Sequence, residues 1–191
     1  DVGLRPLGWI PHSYVEPHIE QGPVLEKAGV PLGVVTGIQG TRRYRVRVVG
    51  KAAHAGTEPM VERKDALLTA IHAISVIEKQ ALAFDEVKFT VGLFQVQPNA
   101  PSVVPSEVNF SIDVRHPDNA AVDYIDNCIR SALDEKASGC TIALKQIAHA
   151  PSLSFSQSIQ ARIDLSAEKL GIASMAFYSS AGHDARQLHY I

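Results

Sequence analysis

The sequence RYRVRVV at residues 43–49 alternates basic and apolar side chains with a period of two. Such alternation is typical of a strand that has one face in water and the other against a core. At residues 64–83, apolar positions recur near every 3.6 residues and predict an amphipathic helix. We therefore expect a strand followed by a helix that packs on its apolar face.

The segments that follow extend this pattern to residue 148. Strand patterns occur at residues 87–96 and 103–114, a second amphipathic helix at 119–136, and a last strand at 141–148. The order strand, helix, strand, strand, helix, strand is that of the ferredoxin-like βαββαβ unit, in which two helices cover one face of an antiparallel four-stranded sheet. The predicted fold class is α+β.

The flanking segments do not continue this pattern. SYVEPHI at residues 13–19 predicts a short strand that Pro17 interrupts, and residues 156–170 and 173–178 predict a helix and a strand. We interpret residues 40–151 as one domain inserted into another, with residues 1–39 and 152–191 as parts of a second, α/β domain. The chain opens with Asp1 rather than Met, and we expect it to be a piece of a longer polypeptide.

Composition excludes several classes of function. The net charge of -2 offers no basic field for nucleic acid, and no apolar run approaches the ~20 residues that cross a bilayer. Cys128 and Cys140 are too few for a disulfide framework, and no export signal is found, so we expect a cytoplasmic protein.

Four clusters contain side chains that are capable of chemistry, each with an ordinary structural alternative. His18, in EPHIEQGP, is a metal-ligand type, and His54, in HAGTEPM, could donate to an oxyanion; either could also be a surface residue. Arg43 and Arg115 could clamp a carboxylate, although Arg115 could simply pair with the nearby Asp113. Gly182 lies where a helix start favours anions.

The order of these motifs is more specific than any one of them. HIEQGPVLE, RRY, HAGTEPM, RKDAL, VVP before FSIDVRH, and AGHDA together resemble the hydantoinase/carbamoylase family of two-metal amidohydrolases. This family includes N-carbamoyl-L-amino-acid hydrolases, allantoate amidohydrolases and β-ureidopropionases. The resemblance implies that residues 40–151 form a lid that also makes the homodimer interface, and that the flanks belong to the catalytic domain.

The resemblance also implies roles for individual residues. By position in the motifs, His18 matches a metal ligand, His54 matches the lid histidine that stabilises the oxyanion in the partner subunit's site, and Arg115 matches the arginine that clamps the substrate carboxylate. Further matches to the substrate pocket are Gln21, Arg43 and Gly182. The family's Asn before V-[VI]-P is replaced here by Ser102, which offers a hydroxyl instead of an amide.

The full-length enzyme is therefore expected to hydrolyse a ureido or amide C–N bond in N-carbamoyl amino acids, allantoate or similar small carboxylates. We expect the full-length enzyme to bind two divalent metal ions, Zn²⁺, Mn²⁺, Co²⁺ or Ni²⁺, as cofactors. The family's His-x-Asp motif, its Glu-Glu pair and its last His ligand have no counterpart in this sequence. We therefore expect this piece to be inactive and to bind no metal by itself. The alternatives are a dipeptidase or aminoacylase of the wider superfamily and a non-catalytic dimerisation module.

Overall fold

The computed structural model describes residue 8, residues 12–135 and residues 139–190. The chain forms two compact units: a central unit, Gln39–Ser152, and a flanking unit, made of Asp1–Ile38 with Leu153–Ile191. The helices are α1 (Val24–Ala28), α2 (Ala66–Ala81), α3 (Asn119–Glu135), α4 (Gln157–Lys169) and α5 (Ala185–Leu188). The strands are β1 (Leu32–Ile38), β2 (Gly40–Val49), β3 (Ala53–His54), β4 (Lys88–Thr90), β5 (Phe94–Gln97), β6 (Val103–Val104), β7 (Glu107–His116), β8 (Thr141–Ala150), β9 (Leu153–Ser154) and β10 (Ser174–Ser179).

The main sheet of the central unit has the order β4-β7-β2-β8, and β5 extends β4 along β7. All these pairs are antiparallel, and α2 and α3 both pack on β2 and β7. This is the ferredoxin-like βαββαβ arrangement, so the predicted fold class is confirmed.

Two of the predicted strands are each divided in the structure. The strand at residues 87–96 becomes β4 and β5 because its register against β7 shifts by one residue, as at a β-bulge, and the Ser111 hydroxyl accepts the Leu93 N–H there. The strand at residues 103–114 becomes β6 and β7, since Pro105 between them has no N–H for a ladder. The separated β6 pairs with β3 instead.

The core of the central unit lies between the helices and one face of the sheet. Its fully buried side chains alternate along the central strands and recur at helical spacing, as the periodicities predicted: Tyr44, Val46, Val48, Val108, Phe110, Ile112, Val114, Ala70, Ala73, Ile77, Ile125 and Ile129. The Asp65 carboxylate caps α2 by accepting the N–H groups of Leu67 and Leu68 at 2.9 and 3.0 Å. The opposite sheet face is polar.

The flanking unit contains a sheet of order β10-β1-β9, in which β1 runs parallel to β10 and antiparallel to β9. The prediction of a strand at residues 13–19 is wrong, because no strand is found at residues 12–21. Pro17 has no N–H, and the Glu16 and Glu20 carboxylates instead bind the N–H groups at the starts of α5 and α1. No helix in the described ranges is long and apolar enough to cross a membrane.

Candidate functional site

Three side chains of the flanking unit form a group that has the donor atoms of a metal site. One ligand atom each from Glu16, His18 and His183 lie within 4.8 Å of one another. The Nδ1–H of His18 donates to the carbonyl of Ile19 at 2.6 Å, which leaves the Nε2 lone pair of His18 for a ligand. A backbone or carboxylate acceptor on the second ring nitrogen is the usual partner of a metal-binding histidine.

Glu16 and Ser179 hold His183 beside His18. Glu16 Oε2 accepts the Ala185 N–H at 2.9 Å, and Glu16 Oε1 lies 3.6 Å from His183 Nδ1. His183 Nε2 lies 2.5 Å from the Ser179 hydroxyl, and the two imidazole rings meet edge to face at 4.7 Å. The Glu16 carboxylate therefore joins the segment that carries His18 to the start of α5.

The donor types of this group fit the divalent ions that the sequence leads us to expect. Two imidazoles and a carboxylate suit Zn²⁺ and other first-row divalent ions, which accept three protein ligands when a fourth position stays open for water or substrate. All three side chains line a cavity of about 480 Å³ whose remaining wall is largely apolar, including Leu32, Ile159 and Phe177.

The other expected residues of the flanking unit lie near this cavity but outside its lining. Gln21 is exposed and has a left-handed backbone, with φ 56°, and Gly182 is the exposed residue before His183. Glu20, which would have shared a strand face with His18, instead caps α1 by accepting the N–H groups of Val24 and Leu25 at 2.7 and 2.8 Å. Glu20 is therefore a structural residue.

His54 and Ser102 come together in the central unit. His54 ends β3, is exposed, and lies opposite Val103 of β6, while the Ala55 N–H donates to the Ser102 carbonyl at 3.0 Å. The Gly56 N–H donates to His54 Nδ1 at 3.1 Å. A neutral His54 therefore carries its proton on Nε2, which makes Nε2–H a hydrogen-bond donor toward solvent.

Arg63 fastens the turn that follows His54. Its Nη2 donates to the Ala55 carbonyl at 2.6 Å and its Nε donates to the Glu58 carbonyl at 3.0 Å. These charge-assisted bonds hold both ends of the turn, so the direction of the His54 side chain depends on Arg63.

Arg43 and Arg115 meet on the polar face of the sheet, where Asp113 lies directly across from Arg43. Arg43 Nε donates to Asp113 Oδ2 at 2.7 Å, and Arg115 donates through Nε and Nη2 at 2.9 and 3.0 Å. Partial burial alone would raise the pKa of Asp113, but the two arginines outweigh it and hold that pKa below its ordinary value. The hydrogen bond to Asp113 likewise raises the pKa of Arg115.

Three residues of these groups, Glu16, His183 and Arg63, were not predicted from the sequence as site residues. Glu16 and His183 are 167 positions apart, as the numbering shows, so no local pattern could pair them. Two local signals were available: the Glu16 carboxylate two residues before His18, and His183 within the AGHDA motif. Because no strand forms around His18, the two-residue spacing does not tell which way the Glu16 side chain points.

The ferredoxin-like fold of the central unit agrees with the family match: residues 36–139 match the family model described as peptidase dimerisation domain. The chain is 34% identical over 188 residues to the N-carbamoyl-L-amino-acid amidohydrolase of Pseudomonas sp. (strain NS671), an alignment that covers 95% of this chain and 45% of the relative. It is 35% identical over 183 residues to the allantoate amidohydrolase of Escherichia coli (strain K12), with 91% and 43% covered. The chain belongs to the hydantoinase/carbamoylase family of amidohydrolases, which confirms the resemblance read from its motifs.

A solved structure agrees with this assignment. The hydantoinase/carbamoylase family amidase from Burkholderia vietnamiensis superposes with a TM-score of 0.83 at 38% identity, over 88% of this chain and 41% of that structure. The chain thus spans less than half the length of the relatives it matches.

Proposed function

We propose that the whole protein is a metal-dependent amidohydrolase that cleaves a ureido or amide C–N bond next to a carboxylate-bearing carbon. The observation that carries this proposal is the Glu16–His18–His183 group, whose donor atoms suit a divalent ion, in a chain whose relatives are named for N-carbamoyl amino acids and allantoate. Substrates of both kinds carry a carboxylate, for which Arg43 and Arg115 provide guanidinium partners.

His18 is proposed to ligate one of two divalent ions, Zn²⁺, Mn²⁺, Co²⁺ or Ni²⁺, through its Nε2 lone pair. Glu16 and His183 either add ligands or hold His18 in place through the contacts described above. When bound, such ions polarise the scissile carbonyl and lower the pKa of an attacking water. The 191-residue chain alone is proposed to lack turnover, because this group supplies only one partial set of ligands.

His54 is proposed to donate its Nε2–H to the oxyanion that forms as water adds to the carbonyl carbon. A preorganised donor of this type typically contributes about 3 kcal/mol to transition-state stabilisation. Following the family pattern, we assign His54 to the site of the partner protomer in a homodimer formed by the central unit. Ser102, which is adjacent to His54, and Gln21 and Gly182 of the flanking unit are proposed to contact the substrate.

Arg43 and Arg115 are proposed to bind the substrate carboxylate and so to fix the orientation of the C–N bond that is cleaved. Cys128 and Cys140 are both free thiols, which suits the reducing cytoplasm that we propose as the protein's location.

The proposal is tested by ammonia release from the whole protein with an N-carbamoyl-L-amino acid, with allantoate and with a dipeptide, the last followed by amine release. We expect turnover of at least one ureido compound and none of the dipeptide. His54→Ala should lower kcat about 100-fold, while His72→Ala, which removes an exposed imidazole of α2, should leave it unchanged. Turnover of the dipeptide alone would assign the protein to the peptidases of the wider superfamily.

A further inference from the structure

Asp113 is the common partner of the two arginines to which we assign the substrate carboxylate. Arg115 grips it through two parallel N–H···O bonds, and Arg43 donates to it through Nε. A bidentate pair fixes both the plane and the direction of a guanidinium group. One carboxylate therefore contacts both arginines and contributes to the orientation of each.

Two further cations lie near Asp113 on this face of the sheet. Lys88 of β4 lies directly across from Arg115, and Arg45 shares the sheet face with Arg43 two residues along β2. Without the Asp113 charge, Arg43, Arg45, Arg115 and Lys88 would form a patch of four cations, and a patch of that kind attracts dianions more strongly than monoanions. Glu107, the other carboxylate on this face of β7, lies six residues away, which is about 20 Å along the strand and beyond the Debye length.

We propose that Asp113 is a specificity-determining and positioning residue, which orients Arg43 and Arg115 and lowers the local positive charge, so that the site binds a dianion less strongly relative to a ligand with one carboxylate than it would without Asp113. This inference rests on the proposed function, since it takes Arg43 and Arg115 as the carboxylate site. The side chains of Asp113, Arg115 and Arg43 keep 25%, 29% and 47% of their exposure, so a ligand has access to the group.

The effect of Asp113 on selectivity follows from Coulomb's law. A unit charge about 6 Å from a second ligand carboxylate, in water-like surroundings, changes affinity about threefold. Loss of orientation in a variant would weaken both ligands alike. The ratio of the two affinities is therefore the informative quantity, because a merely structural role of Asp113 would leave it unchanged.

The experiment uses the 191-residue chain and two ligands that match in size, N-carbamoylasparagine as the monoanion and N-carbamoylaspartate as the dianion, at pH 8. Dissociation constants are measured by NMR titration for the wild type, Asp113→Asn and Asp113→Glu. Glu107→Gln is the control, since it removes the same charge from the same strand face. Amide spectra and unfolding midpoints establish that each variant is folded.

We expect Asp113→Asn to shift the affinity ratio about threefold toward the dianion. Asp113→Glu, which keeps the charge, and Glu107→Gln should both retain the wild-type ratio; if Asp113→Asn does not fold, a ratio shifted in Asp113→Glu overturns the inference. An unchanged ratio in folded Asp113→Asn overturns it while the proposed carboxylate site stands. Absence of binding of either ligand to the wild-type chain also overturns the inference, whereas the turnover assay of the whole protein decides the proposed function separately.

Discussion

Replacing Arg63 with Met should loosen the turn that carries His54 without unfolding the central unit. Arg63 makes two hydrogen bonds, to the carbonyls of Ala55 and Glu58, at 2.6 and 3.0 Å. Because the turn is exposed, we take for each bond a value near the lower end of the range for ordinary hydrogen bonds, about 0.7 kcal/mol, which gives about 1.4 kcal/mol for the pair. This free energy corresponds to a tenfold change in the equilibrium for local opening.

Native-state hydrogen exchange measures this opening at the Ala55 amide, whose N–H donates to the Ser102 carbonyl. We expect its exchange to quicken about tenfold in Arg63→Met, with no change for buried amides of β7. The matched control is Arg47→Met, which removes an arginine that pairs with Glu107 instead. Equal exchange rates at Ala55 in the wild type and Arg63→Met would refute the assignment of Arg63 as the residue that holds the turn.

Three further outcomes follow from contacts in the central unit. Tyr44→Phe removes a 2.6 Å hydrogen bond from a buried hydroxyl to Asp126, so urea denaturation should show a loss of about 1–2 kcal/mol. Hydrogen bonds from Arg47, and then from Asn109, lower the pKa of Glu107 to about 2 from 4.5. The Glu107 carboxylate therefore contributes fully to stability above pH 4.5, and this contribution is lost as the pH falls toward 2. A Glu107 carboxyl group that titrates near pH 4.5 by NMR would contradict this. Gly50→Ala should destabilise the unit by more than 1 kcal/mol in thermal unfolding, because a Cβ there would lie 1.9 Å from a backbone carbonyl oxygen.

The fold of the central unit was largely predictable because it rests on short-range periodicity. The alternation at residues 43–49 and the helical spacing at residues 64–83 each report burial within one element, and the order of elements then selects the topology. The divisions within strands were harder to predict. They depend on the Ser111 hydroxyl and on Pro105, whose effects appear only once the neighbouring strand is in place.

The candidate site was less predictable, because it depends on contacts between distant residues. His18 and the two arginines came from motifs, whereas Glu16 and His183 are joined only by the folded chain. The prediction of a strand around His18 was also wrong. The Glu16 and Glu20 carboxylates there bind helix N–H groups, and the backbone does not join a sheet. The pairing of Asp113 with Arg115 was one of two open alternatives, and the structure shows that pairing together with Arg43.

Metal dependence is the most direct test of the proposed chemistry. Ammonia release from an N-carbamoyl-L-amino acid or allantoate is measured in the whole protein before and after chelation, and again after addition of Zn²⁺, Mn²⁺, Co²⁺ or Ni²⁺, with bound metal counted by elemental analysis. We predict that chelation abolishes turnover, that at least one ion restores it, and that His18→Ala lowers the bound metal and is not restored. Full turnover by protein shown to be free of metal would contradict the account.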